Sequence, residues 1–408
     1  MQTLVGSAIC CGTHNYQVSM QSTHDIIRIS PSEVDIADAD AITPIYVSKG
    51  GFPKAPWYAN FDVDGHKTLF STTDSEFRAP RAKAVMPLFS TKSIRDNETL
   101  LYGCVVNMAR RMKEEAEDSK PVDCLNLARS LALDAISTHL FRENYNGTLE
   151  KGERLSASAF VDAFVAVGRF FYLPNTAFIW ISWLMEKFVS DLNTKNSIKL
   201  VDQFVDNLVE STPKESQNYP GRLLNMGFSR SEVKSACKDL MFAGTDSTGM
   251  NLATILRYLV LCPEKYDILR TEIMDNMNSP DKQEIQGLPY LSAVVKEGLR
   301  ISMANPTRLP HVVPTTGWTF KSTYFPVGSI VGCSAYELHF NSEVFPNPHD
   351  FQPERWLEGN VTPEANKYWF AFGAGSRACI ARNLATVELF MAVEKLVESD
   401  VLRGAKHR

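Results

Sequence analysis

Apolar residues recur three and four apart through Glu98 to Ala116, Leu127 to His139, Ser156 to Val167 and Ser197 to Val209, which predicts a body built of helices. The sharpest pattern opens at Ser229-Arg230-Ser231-Glu232, a capping box in which serine and glutamate each satisfy a backbone N–H of the first turn. Apolar positions then continue to Leu261, where Cys262-Pro263 stops them. A helix of about 30 residues is expected there, against a usual length of about 11–12, so it crosses a whole domain. A second helix follows Pro263, and a third opens at Leu288-Pro289, with proline in the favoured first turn.

Either side of this body the pattern changes. The first quarter, up to about Glu76, is mixed: Ile26 to Ser30 reads as a strand closed by Pro31, and Gly50 to Tyr58 is too punctuated for a regular element. After Pro310, Gly328 to Cys333 reads as a short strand between turns, and Pro346, Pro348 and Pro353 mark an irregular meander. A glycine loop at Gly373 to Gly375 then feeds a helix from Cys379 towards Leu396. The fold class is mainly α with a small β-rich part.

Composition narrows the function. The 408 residues are 44% hydrophobic and 22% charged, enough apolar material for a large core. Lys plus Arg number 42 against 47 Asp plus Glu, a net charge of −5, so no basic field exists to hold nucleic acid. The eight cysteines, Cys10, Cys11, Cys104, Cys124, Cys237, Cys262, Cys333 and Cys379, show no C-x-x-C spacing, which speaks for a reducing, intracellular compartment rather than a disulfide or zinc scaffold. The apolar run from Leu4 to Cys11 is far short of the about 20 residues that span a bilayer, so no transmembrane anchor is expected.

Three places carry chemistry. Within the long helix, Ala243-Gly244-Thr245-Asp246-Ser247-Thr248-Gly249 interrupts the apolar run with residues that weaken a helix. Either something approaches this backbone, or Gly244 and Gly249 mark a close helix crossing with Asp246 left in solvent. Glu297 and Arg300, three apart, form a same-face pair that is a surface salt bridge or, with Arg355 of Pro353-Glu354-Arg355-Trp356, a carboxylate held between two guanidiniums. Last, in Phe372-Gly373-Ala374-Gly375-Ser376-Arg377-Ala378-Cys379, the loop N–H groups and the helix start favour a Cys379 thiolate. With Arg377 two residues before it, that thiolate suits an axial haem ligand, although a lone cysteine at a helix start is often a small buried side chain.

Together these residues resemble the cytochrome P450 family. The loop Phe372 to Ala381 is similar to its F-x-x-G-x-R-x-C-x-G pattern, with Ala381 for the last glycine; Glu297-x-x-Arg300, Pro353 to Trp356 and Ala243 to Thr248 match three further motifs in the family's order. The resemblance runs from about Ile26 to Leu396, and places a P450 domain at residues 17–396, with 1–16 and 397–408 unmatched.

The resemblance implies the P450 fold, with heme b between the long helix and the Cys379 loop and Cys379 as iron ligand. It implies a structural triad of Glu297, Arg300 and Arg355, contacts from Phe372 and Gly373 in the loop, and propionate contacts from Arg377 and His311. Arg81 is expected as a third such base, since Phe77 to Lys83 lacks the family's tryptophan and Pro80 sits within its helix. Asp246 and Ser247 would relay protons to O2, with Thr248 as a substitute.

The implied activity inserts one atom of O2 into a small apolar substrate, with electrons from NADPH-cytochrome P450 reductase. Asn60 to Ser71, Leu240 to Ala243 and Ala304 to Leu309 are the expected lining. Phe52 to Trp57 and Arg308-Leu309-Pro310 look like fungal relatives of secondary metabolism. Relatives also carry an anchor helix before the shared part and a hairpin after it. A chain shortened at both ends is therefore expected, with peripheral contact at the endoplasmic-reticulum membrane. A reductase-independent isomerase or dehydratase and a non-catalytic haem-binding protein stay open as alternatives.

Overall fold

The computed structural model describes residues 25–117, 121–168, 170–188, 192–302 and 304–406; the run Leu4 to Cys11, with its cysteine pair, lies outside them. Among the described residues helices dominate and strands are confined to two small sheets. In chain order the strands are β1 (Ile26–Ser30), β2 (Glu33–Ile36), β3 (His311–Val312), β4 (Trp318–Phe320), β5 (Thr323–Phe325) and β6 (Ile330–Gly332). The larger sheet is ordered β1-β2-β6-β3, and β4 with β5 forms a separate hairpin. Because β2 pairs parallel with β6, Val34 opposite Val331, two segments distant in sequence on either side of the helical body meet in one sheet.

Next to β3 the punctuated segment is tied down after all. Val312 N–H donates to Pro53 O at 2.7 Å and Ala55 N–H to Pro310 O at 3.1 Å, which sets Lys54 opposite His311. Only 3-10 turns, Ser48–Gly50 and Pro56–Phe61, form around it, as its prolines and glycines require.

The predicted helices appear as Glu98–Glu117, Cys124–Ile136, Ser156–Gly168 and Leu192–Ser211. The long helix is Arg230–Leu261, 32 residues, opened by the Ser229–Glu232 capping box. Its glycines mark the helix crossing: a Cβ on Gly244 would stand 1.7 Å from Ile136 Cδ1, and one on Gly249 2.9 Å from the Arg129 Cα. Packing against Cys124–Ile136 thus accounts for the weak stretch, and the helix runs through it without a break.

The third helix is Pro289–Ile301, and the final one is Arg382–Glu398, three residues later than expected, because the chain between Gly375 and Ala381 stays in turns. Among the described residues no helix is long and apolar enough to cross a membrane.

Candidate active site

The glycine loop holds Cys379 by backbone alone. Cys379 N–H donates to Phe372 O at 2.9 Å and Gly373 N–H to Phe370 O at 3.0 Å. Gly373 and Gly375 take φ of 65° and 67°, and a Cβ on Gly375 would lie 1.8 Å from Tyr46 O, so glycine is obligatory there. Cys379 is exposed, yet burial pushes its thiol above the ordinary value. A side chain surrounded by protein with open space before it lines an internal cleft. The expected thiolate is not supplied by the fold itself: the helix begins only at Arg382, so its N-terminal field is distant, and the Ala381 N–H and the Arg382 charge do not offset desolvation.

Across the fold, the long helix shows an exposed residue, Ala243, between buried Met241 and Thr245, with half-buried Ser247 one turn on. That stripe borders open space. Ser247 Oγ donates to Ala243 O at 2.9 Å, the back-bond that lets a hydroxyl sit inside a helix. Asp246, about 100° round, is not in solvent: Arg129 Nη2 stands 2.7 Å and Nε 3.2 Å from its Oδ1, while Arg129 Nη1 reaches Asp162 Oδ1 at 2.9 Å. Thr248 is buried a further step round, off the stripe. The three relay candidates therefore face three ways, and only Ser247 shares the Ala243 face.

Four bases gather at one corner. Arg377 Nη1 and Arg78 Nε are buried without a hydrogen-bond partner. Burial, with the Arg78 charge nearby, pulls Arg377 down to about 10. Lys54, buried, is held well below its ordinary value by desolvation and by Arg377 and Arg78. Burial likewise takes His311 to about 4, helped by Lys54 and Arg377; its Nδ1–H donates to Leu309 O at 2.9 Å.

Arg81 is elsewhere. Its guanidinium lies 3.4 Å over the Phe77 ring and 3.8 Å over Phe228, donates to Phe77 O at 2.9 Å, and stands 3.5 Å from Glu232 of the capping box. It fastens Ser75–Val85 to the start of the long helix, despite Pro80 within that segment. Arg78, not Arg81, turns to the Arg377 corner.

Glu297 and Arg300 are fully buried, which removes the surface-bridge reading. Arg300 Nε and Nη2 each donate to Glu297 at 2.8 Å, and Nη1 donates to His339 O at 2.8 Å. Trp356 Nε1 at 2.8 Å and Gln352 N–H at 3.0 Å complete the carboxylate, with Arg355 Nε an ion-pair neighbour at 3.4 Å. His339 Nε2 in turn accepts from Phe370 N–H at 2.8 Å, so the cluster grips the base of the Cys379 loop.

The whole chain can now be set beside known proteins. The family model "Cytochrome P450" matches residues 14–399. The chain belongs to the cytochrome P450 family. It is 35% identical to the cytochrome P450 monooxygenase mfmF of Annulohypoxylon moriforme, across 96% of this chain and 83% of that one. It is 28% identical to the monooxygenase macH of Penicillium terrestre, across 91% and 77%. It is 26% identical to pisatin demethylase of Fusarium vanettenii, across 95% and 78%. The crystal structure of a cytochrome P450, CYP102L1, superposes with TM-score 0.75 at 17% identity, covering 96% of this chain and 92% of that one, and so shares the fold.

This P450 is a monooxygenase by family, and the family's cofactor is a haem-thiolate. The residues fit that group. Two orphaned guanidinium atoms, Arg377 Nη1 and Arg78 Nε, suit the carboxylates of a haem, and the open surface of Cys379 suits its iron.

Sequence reasoning missed Lys54 and Arg129, and among the bases of Phe77 to Lys83 it chose Arg81 over Arg78. A signal existed for Arg129, a lone cation inside the apolar run Leu125 to Ile136, where a charge needs a buried partner.

Proposed function

We propose that this P450 inserts one atom of O2 into a small, largely apolar molecule of fungal secondary metabolism, using heme b and electrons from NADPH-cytochrome P450 reductase. The observation that carries the reading is the open surface of Cys379 together with the exposed Ala243 face of the long helix and the unpartnered guanidinium atoms Arg377 Nη1 and Arg78 Nε. When bound, the haem iron supplies the oxygen-activating chemistry that no side chain here supplies.

Cys379 ligates the iron, and Arg377, Arg78, Lys54 and His311 receive the propionates; Arg78 takes the part expected of Arg81. Phe372 and Gly373 hold the loop through the hydrogen bonds described above. Ser247 passes protons by turning its hydroxyl from Ala243 O into the cleft. Asp246, gripped by Arg129, relays those protons: once its carboxylate leaves the guanidinium it takes a proton from solvent water and hands it to Ser247, returning to the ionised form, and Thr248 plays no part. The aromatic wall of Phe61, Phe164, Phe171 and Phe242, with ring centroids as close as 3.6 Å, excludes water and favours an apolar substrate. Exposed Ile179, Trp180 and Leu184 support peripheral membrane contact near the endoplasmic reticulum.

The test is Cys379→Ala. Wild type expressed with reductase should show the thiolate band of the reduced carbon-monoxide complex and an oxygenated product, and the variant neither. Unchanged products from the variant would reject the reading. Product formed without NADPH would instead identify a haem-thiolate isomerase or dehydratase.

A further inference from the structure

The long helix and the helix Leu192–Ser211 face each other through a ladder of opposite charges. Arg230, Lys234 and Lys238 stand four apart on one, and Asp202, Asp206 and Glu210 four apart on the other. Arg230 pairs with Glu210 at 3.5 Å, and Lys234 with Asp206 and Glu210 at 3.0 Å each. Lys238 ends the ladder, and its ammonium is shared. It lies 2.5 Å from Asp202 and 2.7 Å from Asp64, which belongs to a third segment.

Asp64 sits at the tip of a two-residue turn that leaves the aromatic wall. Val63 and His66 exchange N–H bonds at 3.1 and 2.9 Å, and Asp64 and Gly65 between them take φ of 49° and 75°. The chain is anchored on both sides of this turn. Before it, buried Asn60 donates to Phe171 O and Leu173 O and accepts from Asn175, while Phe61 stacks on Phe171 at 3.8 Å. After it, Lys54 donates to Phe70 O at 2.5 Å. The tip itself has one ion pair to the body among the described residues, the one to Lys238.

A second observation sets a force against that pair. Asp62 Oδ1, at the foot of the tip, is buried without a hydrogen-bond partner, and Asp239 of the long helix adds a like charge. A desolvated carboxylate oxygen without a donor favours an open form in which water reaches it, whereas the Lys238 pair favours the closed one. Asp64 is half exposed, so that pair is weak, and the two opposed terms leave the forms close in free energy.

We propose that the Val63–His66 tip is a gate on the cleft, held shut by Lys238 and opened by hydration of Asp62, and that its opening sets how fast an apolar substrate enters and its product leaves. The gate acts on passage rather than on the bound molecule, so it changes both rates by one factor and leaves affinity nearly constant.

The test follows binding of phenylimidazole, an apolar azole that ligates ferric haem, to the haem-loaded protein by stopped flow. Lys238→Met should raise association and dissociation rates together by about threefold to fivefold, the upper range of one partly exposed ion pair, with Kd within about twofold of wild type. Asp64→Asn, a change on an exposed turn, should do the same. Asp62→Ala, which removes the orphaned oxygen, should slow both rates by about fivefold. Raising salt from about 0.01 M to about 1 M should speed binding to wild type more than to Lys238→Met. Equal rates in wild type, Lys238→Met and Asp64→Asn overturn the gate, as does a faster Asp62→Ala. A change confined to dissociation overturns it too, since it would make Lys238 a contact of the bound molecule. The azole reports entry whether or not the protein turns over, so the gate stands or falls apart from the oxygenase reading.

Discussion

Two clusters of buried and half-buried arginine stand within one chain and are finished differently. Around Glu297 the charges are paired: the carboxylate takes four hydrogen bonds, Arg300 spends its guanidinium on Glu297 and on carbonyls, and Arg355 Nε, which makes no hydrogen bond, still faces the carboxylate as an ion pair at 3.4 Å. Around Arg377 the donors outnumber the acceptors, with Nη1 and the neighbouring Arg78 Nε unmatched. A closed cluster is part of the fold. An open one, costly to desolvate and self-repelling, is tolerated where something else brings the negative charge. Removing a residue from the first should therefore harm the protein whatever it carries, and removing one from the second should harm only its hold on a ligand.

The largest expected effect follows from the closed side. Glu297→Ala leaves Arg300, which has no exposed surface, without its counter-charge, at a cost of about 3–5 kcal/mol. Denaturant unfolding of the purified variant should show that loss, with the Cys379 loop loosened through His339 and Phe370. A midpoint equal to wild type would erase the distinction between the clusters.

On the open side the same kind of change should have the opposite sign in the free protein. Arg377→Met removes a desolvated cation flanked by Arg78 and Lys54, so the haem-free variant should melt at or above the wild-type temperature. Haem loss to excess apomyoglobin should accelerate by at least about tenfold, one charge-assisted hydrogen bond's worth. Destabilisation of the haem-free form would mean that Arg377 is structural.

The two clusters were unequally legible. Glu297, Arg300 and Arg355 are spaced by a helix and a proline-marked meander, and a motif with a fixed offset is readable wherever helix geometry sets the offset. The capping box at Ser229 and Glu232 was readable for the same reason. The bases at the corner come from four separate segments, Lys54, Arg78, His311 and Arg377, and which guanidinium of Phe77 to Lys83 points there depends on tertiary packing. Arg81 looked equally suitable until the Phe77 and Phe228 rings and Glu232 claimed it. Asp246 likewise carried the right motif, but its partner Arg129 sits on a distant helix that periodicity alone cannot bring near.

Arg78 and Arg81 sharpen this point at smaller amplitude. Arg78→Leu should speed haem loss several-fold and leave haem-free stability near wild type. Arg81→Leu should leave haem retention unchanged and cost about 1–2 kcal/mol, more from its stack between the Phe77 and Phe228 rings than from its long, partly exposed ion pair. The reverse pattern in the haem-transfer assay would return the propionate contact to Arg81.

The finest comparison is between one histidine of each cluster. Burial lowers His339 to about 3 and His311 to about 4 in the haem-free protein, both from 6.5. Lowered bases fold as the neutral form, so the stability they contribute is complete above about pH 6.5. It is lost as pH falls through the folded values, at about 1.4 kcal/mol per pH unit for each histidine. Haem loading should separate them. His339 has no nitrogen to spare, since Nδ1–H donates to Arg300 O and Nε2 accepts from Phe370 N–H. In His311, Nδ1–H is committed to Leu309 O, the Tyr46 ring stands edge-on at 4.9 Å, and Lys54 and Arg377 are the cations that disfavour a second proton. A carboxylate beside them cancels that repulsion and accepts only from a protonated Nε2. NMR titration with a diamagnetic metalloporphyrin should therefore show His311 rising while His339 stays, and acid unfolding of the loaded protein should begin at lower pH. A His311 that remains near its haem-free value would remove it from the propionate corner and leave Arg78, Lys54 and Arg377 to hold the cofactor.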